Sequence, residues 1–127
     1  MPKEVINPEG LFKPEAYSQV VRAGNLVFLA GQTPRDATGA VVGKDDTEVQ
    51  AVQVFENIRT GLASVGATMD DILHMRTYLT DGVNREVLGQ VRRRYFPGAP
   101  PASTLLIVKG LANPDYLLEI EVVAALE

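Results

Sequence analysis

Apolar residues recur along this chain at two different periods. Between positions 47 and 65, Val49, Val52, Val54, Phe55, Ile58, Leu62 and Val65 return every three or four residues, which gathers side chains on one face of an α-helix. Thr47 followed by Gln50 has the form of a capping box at its start, and Gly66 is placed as its C-cap. Between 72 and 81 the period drops to two, with Leu73, Met75, Thr77 and Leu79 on one side and His74, Arg76, Tyr78 and Thr80 on the other. That predicts a strand with one face on helices and a polar, aromatic opposite face. Asn84 is the expected N-cap of a second helix that carries Val87, Leu88, Val91 and Tyr95 and closes at Pro97-Gly98.

Gly24-Asn25 divides the apolar runs Ser18 to Ala23 and Leu26 to Gly31, and both residues tolerate positive φ, so a hairpin is expected there. Ser103 to Val108 and Leu117 to Leu126 read as two further strands. Residues 33 to 45 hold Pro34, Asp36, Gly39 and Gly43, a loop with at most a brief strand. This order predicts one α+β domain over residues 1–127: a mixed, mostly antiparallel sheet with both helices on one face. The other face would expose more apolar surface than a monomer tolerates. Self-association follows as an expectation.

Composition narrows the chemistry. A chain of 127 residues, 46% apolar and 22% charged, can bury one core and has no room for a second. Without cysteine there is no disulfide, thiolate nucleophile or cysteine-bound metal. His74 is the single histidine, which removes support for a histidine metal cluster and for a serine-hydrolase relay. Gly31-Gln32-Thr33-Pro34 lacks the spacing and the lysine of a phosphate-cradling loop. No metal and no cofactor are expected.

The net charge is −4, and the basic cluster Arg92-Arg93-Arg94 fans around a helix because each residue turns it by about 100°. No nucleic-acid partner is expected from such a surface. Met1-Pro2-Lys3-Glu4 lacks the apolar core of a signal peptide. No run approaches the ~18 apolar residues of a membrane span. A cytoplasmic location and no membrane partner are the expectations.

A series of short segments then occurs in a telling order: Ala16-Tyr17-Ser18-Gln19, Asn25 through Ala30-Gly31-Gln32, Asn57-Ile58, Gly66-Ala67, Tyr78-Leu79-Thr80-Asp81, Tyr95-Phe96 and Glu119-Ile120-Glu121. In that order they resemble the RidA/YjgF family along nearly the whole chain. The resemblance implies a chorismate-mutase-like fold and a homotrimer with a pocket at each subunit boundary. It also implies hydrolytic deamination of small reactive enamines and imines of the 2-aminoacrylate type.

By the same resemblance Glu119 is the expected catalytic carboxylate, orienting a water and taking its proton. Tyr17, Ala30, Gly31, Ser103 and Thr104 are the expected substrate-binding positions. Deaminating members read Pro-Ala-Arg-Ser, with an arginine that grips the substrate carboxylate, where this chain has Pro101-Ala102-Ser103-Thr104. Ala30 stands where the family has serine. Two functions therefore stay open: a deaminase of the family type, and a non-catalytic trimer that binds a small carboxylate or carbonyl metabolite. Arg76 also has two readings, a replacement grip on the substrate carboxylate or a structural ion pair with Glu119 or Glu121. Tyr17 is either a hydroxyl over the cleft or a packed aromatic.

Overall fold

In the computed structural model, which describes residues 2–127, six strands form one sheet: β1 (Lys3–Ile6), β2 (Val20–Ala23), β3 (Leu26–Gln32), β4 (Ile72–Leu79), β5 (Ala102–Ile107) and β6 (Leu118–Ala125). Helix α1 (Thr47–Ala63) lies between β3 and β4, and α2 (Arg85–Tyr95) between β4 and β5. The strands run in the order β1-β2-β3-β6-β4-β5. Neighbours are antiparallel except β4 and β5. A parallel pair needs a long crossover, which α2 supplies. β1 has no apolar run to announce it; it adds to the edge by pairing with β2.

Gly24, at φ 59°, makes the hairpin between β2 and β3, as the Gly24-Asn25 pair predicts. At the start of α1 the capping box is replaced by a different arrangement. Asp46 is the N-cap, its carboxylate accepting from the Val49 N–H at 3.0 Å. The Thr47 hydroxyl instead accepts from the Asn84 N–H at 3.0 Å, joining the starts of the two helices. Gln50 is fully buried. It donates to the carbonyls of Gly43 (3.1 Å) and Asp115 (2.8 Å) and accepts from the Leu117 N–H (2.8 Å). Thus a residue that reads as a cap ties α1 to the loop ahead of β6.

The buried face of α1 is Ala51, Val54, Phe55, Ile58 and Leu62. Val49 is outside it, 41% exposed, because two residues before Ala51 is about 200° of turn away. The helix ends at Ser64, and Gly66 follows at φ 78°. Asn84 caps α2 as expected, accepting from the Val87 N–H at 3.1 Å. Leu88 and Val91 bury its inner face, and Tyr95 stacks on Phe55 with ring centroids 4.8 Å apart.

In β4, Ile72 pairs with Ala124 and His74 with Val123, so the first residues do not alternate regularly. Leu73 is consequently 52% exposed and Ile72 is in the core, the reverse of strict alternation. Beyond this bulge Met75, Thr77 and Leu79 face the helices as predicted. Both helices cover that side alone. The opposite side carries Val5, Val21, Phe28 and Val123 in one register row, with Phe28 45% exposed. No helix among the described residues is long and apolar enough to cross a membrane.

Replacing Gln50 by Leu is expected to cost about 2 kcal/mol or more, since each buried polar partner it strands costs roughly 1–3 kcal/mol. Val49→Ala is expected to change stability by no more than about 0.5 kcal/mol. Urea unfolding midpoints at unchanged slope read both; the reverse ranking would contradict this account of the helix.

Candidate active site

β3 is bulged where it meets β6. Leu29 pairs with Val122 and Gln32 with Ile120, so Ala30 and Gly31 together oppose Glu121. Such bulges re-aim side chains locally. The neighbouring Glu119 side chain occupies the space beside Gly31: a Cβ built on Gly31 would lie 2.9 Å from Glu119 Cδ. Glycine at 31 is therefore what leaves room for the carboxyl.

Glu119 is partly buried between two depressions. The larger, about 580 Å³, is walled by Tyr17, Ala30, Gly31, Arg35, Tyr116 and Glu119 among others. The smaller, about 380 Å³, is lined by Tyr78, Leu111, Ala112, Glu119 and Glu121 among others. Burial raises the Glu119 pKa above the usual carboxylate value; the nearby Glu121 charge adds to the rise and Arg35 opposes it. Glu119 belongs to no ion pair among the described residues.

Buried side-chain amides hold the larger cavity's walls. Asn57 of α1 donates to the carbonyls of Thr33 (3.1 Å) and Arg35 (3.0 Å), while Gln53 donates to Asn57 Oδ1 at 2.8 Å. Gln32 donates to Gln19 Oε1, and Gln19 donates to the Phe12 carbonyl, both at 2.8 Å. Loop backbone that has no strand partner is satisfied in this way. Arg35 is fixed at its head as well, with Cζ 4.1 Å from the Phe12 ring centroid and Nη2 donating to the Tyr17 hydroxyl at 2.7 Å.

Of the residues singled out from sequence, Tyr17, Ala30, Gly31 and Glu119 come together at this cavity. Arg76 does not line it. Its Nη1 donates to Glu121 Oε1 at 2.9 Å, and the Tyr78 hydroxyl donates to the same oxygen. Tyr78 and then Glu121 raise the Arg76 pKa, while the hydrogen bond to Glu121 is the first cause of a raised Tyr78 pKa. Ser103 and Thr104 lie on edge strand β5, in register with Met75 and Arg76, and line neither depression of their own chain. Thr104 Oγ1 is 3.4 Å from His74 Nε2. Sequence reasoning missed Arg35 and Tyr116, which sit in loops without periodicity. A lone cation just past the Gly31-Gln32 strand end was the available signal for Arg35.

A carboxyl-detected NMR titration should find Glu119 titrating above an ordinary glutamate, and Glu121→Gln should lower it. The native protein then keeps this proton at pH values where the unfolded chain has released it. Stability contributed by the site falls as pH rises from the unfolded pKa through the higher folded one. Glu119→Gln should therefore be at least as stable as wild type at neutral pH; a Glu119 that titrates at or below the ordinary value would contradict this.

Residues 12–126 match the model of a family described as Endoribonuclease L-PSP. The 3-aminoacrylate deaminase RutC of Acinetobacter baylyi is 37% identical over 125 residues, 98% of each chain. Among solved structures, the Rid-family protein YyfA of Yersinia pestis superimposes with a TM-score of 0.92 at 30% identity, over 98% of this chain and 100% of that one. TdcF of E. coli, solved with bound serine, gives 0.88 at 26% identity, over 98% and 99%. The family match covers residues 12–126 and the relatives are matched over nearly their whole length, so the chain belongs to the RidA/YjgF family.

Proposed function

We propose that this protein is a homotrimeric deaminase that hydrolyses small reactive enamines and imines of the aminoacrylate type, with Glu119 as its acid–base group. The observation that carries this reading is the Glu119 carboxyl itself: partly buried, raised in pKa, outside any ion pair among the described residues, and set over Gly31 in a cavity with Tyr17. A relative named 3-aminoacrylate deaminase and a structural neighbour holding serine fit a small amino-acid-like ligand. An RNA substrate fits less well, because the surface is net acidic and Arg94 is paired with Glu48 at 2.9 Å.

An enamine first takes a proton at its terminal carbon and becomes the imine. Water then attacks the C=N carbon while Glu119 accepts its proton; the C=N electron pair moves to nitrogen, which takes a proton from solvent. The resulting carbinolamine collapses as its hydroxyl gives its proton to solvent, the oxygen electron pair forms the C=O bond and the C–N bond breaks. Glu119 returns its proton to the leaving nitrogen, so imine plus water becomes a carbonyl compound plus ammonia. Proton transfer by a placed group contributes about 10²–10⁴-fold, and positioning supplies much of the rest.

The trimer reading rests on the uncovered sheet face, where Val5, Leu26, Phe28 and Leu106 are exposed. Light scattering should give three times the 13.8 kDa chain mass; a monomer at micromolar concentration would contradict it. With 2-aminoacrylate or 3-aminoacrylate generated in situ, wild type should speed its decay and Glu119→Gln should lose roughly 100-fold of that acceleration or more. No acceleration by concentrated wild type would reject the deaminase and leave a trimer that only binds a small carboxylate or carbonyl compound.

A further inference from the structure

The cavity contains a second charged group that nothing among the described residues neutralises. Arg35 lines the same wall system as Glu119, yet it takes part in no ion pair among the described residues. Its influence on Glu119 is through space alone. The one hydrogen bond from its guanidinium among the described residues goes to a neutral oxygen, that of Tyr17. The remaining N–H groups of the fork have no protein acceptor there. A guanidinium left in this condition is suited to a planar, bidentate anion.

The orientation of Arg35 is also fixed from behind. Phe12 lies under the guanidinium, and Asn57, only 5% exposed, clamps the carbonyls of Thr33 and of Arg35 itself. Phe12 is held in turn by Gln19 through its carbonyl. Arg76, on β4, lies outside this cavity and is committed to Glu121. Ser103 brings no positive charge. Arg35 is thus the cation that the larger cavity presents.

We infer that Arg35 is the carboxylate-binding residue of this cavity, gripping one end of a small planar amino-acid-derived ligand whose carbon–nitrogen end faces Glu119. The inference rests on the deaminase reading for its ligand class, but not on catalysis for its test. A carboxyl group at one wall and a guanidinium at another match a ligand that carries a nitrogen at one end and a carboxylate at the other. The bidentate contact fixes the ligand's plane, and the Tyr17 hydroxyl steadies the fork.

Binding of pyruvate, the carbonyl product of 2-aminoacrylate hydrolysis, is measured by calorimetry beside that of uncharged pyruvamide. Wild type should favour pyruvate. Arg35→Met should weaken pyruvate by about tenfold or more, the scale of a lost hydrogen bond to a charged group, and leave pyruvamide nearly unchanged. Arg35→Lys, which keeps the charge but not the fork, should fall between. A purely structural role for Arg35 would weaken both ligands together. That outcome, an Arg35→Met protein that binds pyruvate like wild type, or a wild type that does not prefer pyruvate, would overturn the assignment. Failure of the deaminase assay alone would leave this binding difference intact, so the two readings are separable.

Discussion

Buried side-chain amides that satisfy loop backbone are the constraint on which the site depends. The sheet and α1 would pack through Phe55, Ile58, Met75 and Ile120 with or without a cavity. The cavity lies where loop residues wall the bulged β3–β6 pair, and loop carbonyls and N–H groups near the core need partners. Gln50 reaches the loop that precedes β6, Asn57 reaches the loop that follows β3, and the Gln19–Gln32 pair reaches the segment that bears Phe12 and Tyr17. Each amide is buried, so each bond is shielded from competing water and costly to break.

From that scaffold the electrostatics follow. The bulge at Ala30-Gly31 and the missing side chain at Gly31 place Glu119 where burial favours its protonated form. The Asn57 clamp and the Phe12 ring place Arg35 in the same cavity without a carboxylate partner among the described residues. Glu121, two residues from Glu119, is instead paired with Arg76 and accepts a hydrogen bond from the Tyr78 hydroxyl. One carboxylate of the Glu-Ile-Glu strand is thereby built into an ion pair and the other is left outside any ion pair among the described residues.

Much of this fold was legible from pattern. The hairpin at Gly24-Asn25, the Asn84 cap and the alternation through Met75, Thr77 and Leu79 report local rules that the tertiary structure keeps. Val49, Leu73 and Gln50 were misread for a common reason. Helix phase, strand bulges and the destination of a buried amide are set by neighbours distant in sequence: Gln50 meets Leu117, 67 residues away. The site divides similarly. Tyr17, Ala30, Gly31 and Glu119 came from motifs that resemble a family, whereas Arg35 occupies a loop where no period reports direction, and its contacts with Phe12 and Tyr17 appear only on folding.

The proposed function needs a cavity with the Glu119 carboxyl at one wall and, at another, the Arg35 guanidinium outside any ion pair among the described residues. A crystal structure of the protein soaked with pyruvate tests this most directly. The account predicts the carboxylate on the Arg35 guanidinium and the carbonyl carbon turned toward Glu119. Pyruvate bound to Arg76, or lying in this cavity with its carboxylate away from Arg35, would contradict it.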